Sequence, residues 1–379
     1  MKNIVFNKPY ITGKEATYIQ EAIHNNHISG NGPFTKRCQD LLIKRFSFLQ
    51  CLLTTSCTDA LEMASILCNI LPGDEVILPS YTFVSTANPF VLRGAKLIFA
   101  DSSENNPNMD VAAIEMLITK KTKAVIPVHY AGIACDMDPL LDLAKKHHFY
   151  VIEDAAQAID SYYKGRPLGG IGNLGAYSFH ETKNIVSGEG GALIVNDSDL
   201  LNRSEIIWEK GTNRAAFYRG EVDKYGWVDM GSSFLSSDII AAFLYAQLEH
   251  LEIIQEKRKQ LWQRYFNAFS SFEGKGYFKL PVIPSYGSCN GHVFYLVCNS
   301  IEDRTSLIEW LKKKGIHAVF HYLSLHNSAF YSNKHDGRQL PNAQRFSDCL
   351  LRLPMYYELS SQEVDYVVQS TLEFYKKGL

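Results

Sequence analysis

Two stretches of this chain place polar side chains where a folding core has no use for them. Val151–Gln157 reads VIEDAAQ, and Ser178–Asn184 reads SFHETKN. Asp154 closes an apolar run, where an isolated carboxylate would lose its charge, so it calls for a cationic partner. Lys183 lies near the end of a neighbouring run, too far along the chain for a helical i,i+4 pair. A structural Asp154–Lys183 salt bridge is the plainest reading. It leaves Gln157, Ser178 and the glycine-rich SGEGGA of 187–192 without a task.

One chemistry employs all of them. Pyridoxal phosphate is carried by a lysine in Schiff-base linkage, with an acidic partner on its pyridinium nitrogen. Asp154 would keep that nitrogen protonated, so that the ring can accept the electrons of a substrate carbanion. Lys183 would hold the cofactor and then move protons at the substrate carbon. That role requires its free pKa of about 10.4 to be lowered by the surroundings. Gln157 would face the phenolic oxygen of the ring, and Ser178 would donate to the phosphate. TTSCTDALEMA (54–64) offers further donors, as a strand end followed by a polar turn and a helix. Backbone N–H groups of Cys57 and Thr58 would meet the anion at the helix N-terminus. Ser56 or Thr58 is also an N-cap by residue type, and the two roles are compatible. In PSYTFVSTAN (79–88), Phe83 would stack on the pyridine ring, beside the simpler reading of a core aromatic.

The elements that must hold these groups alternate. CLLTT (51–55), DEVILPS, KLIFAD, KAVIPVHY, YVIEDA, AYSFH and GALIVND read as strands. DALEMASILCNI (59–70), residues 84–92 and DPLLDLAKKHH read as helices. This alternation predicts an α/β domain, a mostly parallel sheet with helices on both faces. Ligands gather beyond the carboxyl ends of such strands, where Ser80, His129, Asp154 and Ser178 fall. Residues 237–266 have helical apolar spacing without Gly or Pro and predict one long bridging helix, straight or kinked. Beyond it, HVFYLVC and HAVFHYL read as strands, and RTSLIEWLKKKG as a helix. A Ser360/Glu363 capping box opens another helix. A smaller α/β domain is expected there, so the division runs 1–245, with the N-terminal segment, and 246–379. Residues 212–226 (TNRAAFYRGEVDKYG) read as a long functional loop. Gly170, Gly172 and Gly175 match G-x-G-x-x-G, but the run enters a strand rather than opening a helix. No dinucleotide site is expected.

Composition narrows the class. With 46% hydrophobic and 21% charged residues and a formal net charge of −2, the chain is ordinary globular protein. Nucleic-acid and membrane-surface binding are not expected. Its cysteines show no C-x-x-C pair and no zinc spacing, so no metal site is expected. Cys38, Cys51, Cys68 and Cys298 sit among apolar neighbours as core residues. Such usage suits a reducing compartment. MKNIVFNKPY lacks the apolar centre of a signal peptide, and no stretch approaches the ~18 apolar residues of a membrane span. A cytoplasmic location is expected.

Taken jointly, ISGNGPFTK, TTSCTDAL, PSYTFVSTAN, VHYAG, VIEDAAQ, SFHETKN, GEGGA, KGTNR and GSSFLSSDIIAAFLYAQLE resemble the DegT/DnrJ family of sugar-nucleotide aminotransferases. The resemblance implies the type I, aspartate-aminotransferase-like pyridoxal-phosphate fold. It implies the roles given above for Lys183, Asp154, Gln157, Phe83, Ser178, Cys57 and Thr58. It also implies that Asn213 reaches the phosphate of a neighbouring subunit's cofactor, hence a homodimer with shared sites. Relatives that dehydrate or deaminate sugars carry His in place of Lys183, so the lysine favours transamination. FVLRGAK, ACDMD, VFHYLSLH and RLPMYYELS are most similar to one subgroup. That subgroup moves the amino group of glutamate to C4 of dTDP-4-oxo-6-deoxyglucose. Amination at C3, or the gluco configuration, would need only small pocket changes and stays open. Family likeness places Gly30–Thr35, loop-like by composition and including Gly32 and Phe34, near the sugar nucleotide. Arg214 and Arg219 are candidate cations for its diphosphate. His321, Tyr322 and His326 are further candidates, beside the plainer reading of neutral structural histidines.

Overall fold

The computed structural model describes residues 3–377. In its central sheet, successive apolar residues point to opposite faces: Val76 and Leu78 join one buried cluster and Ile77 another. Both faces must therefore be covered. The first half of the chain supplies helices α1 (Glu15–His24) and α2 (Pro33–Phe46), strand β1 (Gln50–Thr54), α3 (Cys57–Leu67), β2 (Glu75–Pro79) and α4 (Asn88–Leu92). There follow β3 (Lys96–Ala100), β4 (Thr122–Val125), α5 (Met137–His147), β5 (Tyr150–Asp154) and a small hairpin, β6 (Tyr162–Tyr163) and β7 (Arg166–Pro167). Then come β8 (Leu174–Ser178), β9 (Gly191–Val195), α6 (Leu201–Trp208), α7 (Arg214–Tyr218), α8 (Asp238–Glu249) and α9 (Leu251–Ser270). The chain closes with β10 (Phe278–Lys279), β11 (Phe294–Cys298), α10 (Ile301–Lys313), α11 (Pro341–Cys349), β12 (Leu350–Leu353) and α12 (Ser361–Lys377).

Seven strands lie in the order β1-β9-β8-β5-β4-β2-β3. Only β9 runs against its neighbours; the other pairings are parallel. Helix α3 covers one face through Leu61 and Met63, while α2, α5 and α8 cover the other through Leu42, Leu140 and Leu244. A separate antiparallel sheet, β10-β11-β12, presents Tyr295 and Val297 to the core shared with the large sheet. Its other face meets Trp262, Leu307 and Val367. The α/β class and the smaller C-terminal layer are those expected. The Ser360/Glu363 box is also present, with Glu363 N–H donating to Ser360 Oγ at 3.2 Å and Ser360 N–H to Glu363 Oε2 at 2.8 Å.

Elsewhere the sequence expectations need correction. The loop expected at 30–35 holds for residues 30–32 only: α2 begins at Pro33, with Gly32 as its N-cap and Phe34 fully buried against Tyr18 and Tyr245. Gly32 has no capping side chain. The cap comes from Asp238 of α8, which accepts from Phe34 N at 3.2 Å and from Thr35 N at 2.8 Å. The long helix of 237–266 is two helices broken at His250. Residues 317–323 form no strand; Val319 alone bridges Arg352. The segment 212–226 is not all loop, since α7 lies within it.

The glycine-rich run has a different purpose from the one its pattern suggests. Glu153 is fully buried on β5. It accepts from Gly169 N at 2.8 Å, Ile171 N at 2.6 Å, Gly172 N at 2.7 Å and His129 Nε2 at 2.9 Å. A Cβ on Gly172 would lie 2.6 Å from Val151 O, and one on Gly175 2.2 Å from Gly169 O, so close backbone approach demands glycine there. Each orphaned buried donor costs about 1–3 kcal/mol. Glu153→Ala strands several and should destabilise the protein by about 3 kcal/mol or more, read as a lower urea midpoint. An unchanged midpoint would mean that the turn does not depend on this carboxylate.

Candidate active site

Strands β1, β5 and β8 end, and β9 begins, along one edge of the large sheet. A cavity of about 610 Å3 opens there, walled on its far side by His292, His321, Tyr322 and Arg352. This is where a sheet of this kind places its ligands.

Asp154 lines the cavity and is 6% exposed. Its Oδ2 accepts from Thr86 Oγ1 at 2.6 Å, and Thr86 in turn meets Thr82 Oγ1 at 2.8 Å. Its Oδ1 accepts from Ala156 N at 3.1 Å. Lys183 shares the cavity, in the connection between β8 and β9. The plain salt bridge does not form: among the described residues, no carboxylate lies within ion-pair reach of the Lys183 amine. Desolvation is the main cause that holds its pKa below the usual lysine value. The Asp154 charge opposes that shift, and the Arg352 charge adds to it. Asn184 fixes the backbone beside it, donating to Gln255 Oε1 at 2.8 Å and to Asn290 O at 3.0 Å.

The turn after β1 is built for an anion. Ser56 is the N-cap of α3, accepting from Asp59 N, so of the two residues considered it holds the cap. Among the described residues, the N–H groups of Cys57 and Thr58 find no acceptor. They point away from the helix they begin. A Cβ on Gly191 would come within 2.4 Å of Cys57 N, so only glycine leaves the turn and β9 this close. Ser178, which lines the same cavity, accepts weakly from His180 N at 3.4 Å and keeps its hydroxyl proton free.

Gln157 accepts from Ala131 N at 2.7 Å and donates to the Tyr322 hydroxyl at 2.8 Å. Phe83 is 54% exposed at the cavity, its ring 6.0 Å from that of Tyr322. His321 stacks on Tyr322 at 3.5 Å, and its Nδ1 meets the Tyr130 hydroxyl at 2.7 Å. Burial pushes its pKa well below the usual histidine value, so the ring is neutral. His326 lies apart, its Nδ1 2.6 Å from Ser80 Oγ.

Other candidates do not line this cavity. Phe34 belongs to the core, and a Cβ on Gly32 would meet Asp238. Asn213 precedes α7 and accepts from Gly226 N at 2.8 Å. Arg214 and Arg219 line a second cavity of about 970 Å3. Arg219 is held there by Glu205 and Glu221. Sequence reasoning missed Thr86, Asn184 and Arg352. Thr86 had a signal in its i+4 spacing from Thr82, and Asn184 in its place beside Lys183. Arg352, inside the apolar run LLRLP, had none.

These residues fit pyridoxal phosphate. A lysine without a salt bridge, a carboxylate pinned by donors and a turn with free N–H groups converge on one cavity. The sequence model of the DegT/DnrJ/EryC1/StrS aminotransferase family matches residues 9–372. The chain belongs to that family. It is an aminotransferase with the type I pyridoxal-phosphate fold, and enzymes of this family depend on that cofactor. The chain is 31% identical over 384 residues to GDP-perosamine synthase of Escherichia coli, covering 99% of each. It is 30% identical over 382 residues to the UDP-4-amino-4-deoxy-L-arabinose–oxoglutarate aminotransferase of Shewanella sediminis, covering 97% of this chain and 96% of that one. A putative sugar aminotransferase of Streptococcus pneumoniae, solved in its PMP form, superposes with a TM-score of 0.91 at 27% identity. That match covers 99% of this chain and 98% of the other.

The lowered pKa leaves more of the Lys183 amine unprotonated at neutral pH than at Lys164, whose pKa is raised by Asp138. Pyridoxal phosphate added to cofactor-free protein and fixed with borohydride should therefore mark Lys183. A pyridoxyl group on Lys164 or Lys210 in the peptide map would sink the assignment. Asp154→Asn keeps the shape of the side chain but loses the charge, and its amide NH2 replaces one of the two oxygens that accept from Thr86 and Ala156. Turnover should fall roughly a hundredfold while the fold persists; near-normal kcat would make Asp154 a structural residue.

Proposed function

We propose that this aminotransferase moves the amino group of glutamate to C4 of dTDP-4-oxo-6-deoxy-D-glucose. The product would be dTDP-4-amino-4,6-dideoxy-D-galactose, for cell-surface polysaccharide synthesis. The observation that carries the chemistry is the Lys183 amine, unpaired and desolvated beside an Asp154 already satisfied by Thr86. The choice of sugar rests on the likeness of FVLRGAK, VFHYLSLH and RLPMYYELS to one subgroup.

Pyridoxal phosphate, when bound, supplies an electron sink and a carrier for the amino group between two half-reactions. Asp154 holds positive charge at the ring nitrogen. Lys183 takes and returns the proton at the reacting carbon in both halves, acting alternately as base and acid. Cys57 and Thr58 N–H groups and the Ser178 hydroxyl bind the phosphate, and Gln157 orients the ring through its amide. The protein works as a homodimer in which Asn213 serves the partner's cofactor. Support comes from its absence among the residues that line its own chain's cavity and from the exposed apolar side chains beyond it, with Trp227 85% exposed. Among the described residues no helix is long and apolar enough to cross a membrane.

With dTDP-4-oxo-6-deoxyglucose and glutamate, product NMR should show an axial 4-amino group. An equatorial 4-amine, or a 3-amine from the 3-keto isomer, would refute this choice of sugar. The shared site is tested by complementation. Asn213→Asp sets a carboxylate beside the phosphate yet keeps an acceptor for Gly226 N, so the segment should still fold. Mixed with Lys183→Ala and allowed to exchange subunits, it should regain activity at one site of each mixed dimer. No rescue despite proven exchange would reject the shared site.

A further inference from the structure

The side-chain amides behind Lys183 leave one another a single arrangement. Asn290 Nδ2 donates to Gln157 O at 2.8 Å and to Ile159 O at 2.9 Å. Gln255 Nε2 donates to Ile159 O at 3.2 Å, which turns its Oε1 to accept from Asn184 Nδ2 at 2.8 Å. The same Nδ2 donates to Asn290 O at 3.0 Å. Backbone carbonyls only accept, so Asn184 must present its oxygen on the other side. That oxygen lies 2.9 Å from His292 Nδ1, which therefore carries a proton. The backbone of His292 is clamped as well, its O accepting from Arg258 Nη2 at 2.7 Å and its N–H donating to Asn290 Oδ1 at 3.0 Å. Burial, with the charges of Lys183, Arg258 and Arg352, holds the His292 pKa well below the usual histidine value, so the ring is neutral. A neutral imidazole protonated on Nδ1 keeps a bare lone pair on Nε2. His292 lines the cavity, and among the described residues no donor meets its Nε2.

A fixed acceptor beside the reacting amine needs a donor, and the ligands of the proposed function, on which this inference rests, differ in what they bring. The carboxylates of glutamate only accept, and its amino group is consumed at the cofactor. The keto sugar brings hydroxyls. C4, the carbon that Lys183 serves, stands between C3, which bears a hydroxyl, and C5, which bears the methyl group and the ring oxygen. We propose that His292 Nε2 accepts a hydrogen bond from the C3 hydroxyl of the keto sugar and so selects sugars that are hydroxylated beside the ketone. A buried group built to pair with a hydroxyl rejects the analogue lacking it, because the group is then left unpaired. His321 is not fixed in this way, since the Tyr130 hydroxyl can either donate to its Nδ1 or accept from it.

Two sugars and two variants test this. With the amino-loaded form of the unaltered enzyme, the keto sugar lacking its C3 hydroxyl should show a kcat/KM roughly tenfold below that of the parent sugar, the usual yield of one neutral hydrogen bond. His292→Asn keeps an N–H near the Nδ1 position for Asn184 and removes Nε2. It should lose a similar factor with the parent sugar and treat the two sugars alike, while the half-reaction with glutamate stays nearly as fast. His292→Gln sets an amide oxygen near the Nε2 position and should recover part of the preference. Equal rates with the two sugars in the unaltered enzyme would overturn the proposal without any variant, as would a preference that survives in His292→Asn. A glutamate half-reaction slowed as much as the sugar half would also overturn it and assign His292 to Lys183 instead. Failure of the unaltered enzyme to aminate the parent sugar would reject the proposed substrate; the role of His292 is then decided with the 4-keto nucleotide sugar that the enzyme does aminate, with and without its C3 hydroxyl.

Discussion

Glu153 accepts hydrogen bonds from three backbone amides of the 169–172 turn and from His129, with no solvent around it. Consecutive residues of a strand face opposite sides of the sheet. Once Glu153 is held on one face, Asp154 is aimed at the other, toward the cavity. His129 N–H donates to Asp154 O at 3.1 Å, and Asp154 N–H to Pro127 O at 2.9 Å, so the backbone between the two carboxylates is tied to the adjoining strand. A group that meets no substrate therefore sets the direction of the one that does. The neighbouring glycines serve the same end, since the turn must approach β5 closely enough to surround the carboxylate.

The second constraint is that Asp154 and Lys183 be near and yet not neutralise each other. A lysine paired with a carboxylate would stay protonated and could not attack a carbonyl carbon. Thr86 and Ala156 occupy the lone pairs of Asp154, and Asn184 anchors the backbone that presents the amine. Desolvation and the charge of Arg352 then favour the unprotonated amine. These effects act together because Arg352 on β12 and His321 and Tyr322, on the irregular segment after Val319, line the same cavity as the ends of the large sheet.

Much of this was legible in the sequence where one residue type stood against its surroundings. Asp154 and Lys183 declared themselves as charges at the ends of apolar runs, and the central strands as short runs between turns. What was missed depends on partners remote in sequence. The first residues of α2, Pro33 to Thr35, looked like loop because their cap, Asp238, lies on α8. HAVFHYL looked like a strand by composition, but after Val319 it leaves the sheet and brings His321 and Tyr322 to the cavity. The break at His250 leaves no Gly or Pro to mark it. Arg352 stands out only because, among the described residues, no carboxylate pairs with it, and sequence cannot display a missing contact.

Ile4 N–H donates to Gly315 O at 2.8 Å, His317 N–H to Ile4 O at 3.0 Å, and Met355 N–H to Phe6 O at 3.1 Å. Phe6 and Met355 both line the cavity. This early segment is thus held in place by residues of the distant C-terminal layer. Strand β1 likewise has no partner until β9 has been made, because β9 is its only neighbour in the sheet. Pairings this distant along the chain form late and slowly. The walls of the site are complete only once Arg352 and Met355 have been made and have docked against the segment around Phe6. Full enclosure of the cofactor therefore waits on contacts that span nearly the whole sequence.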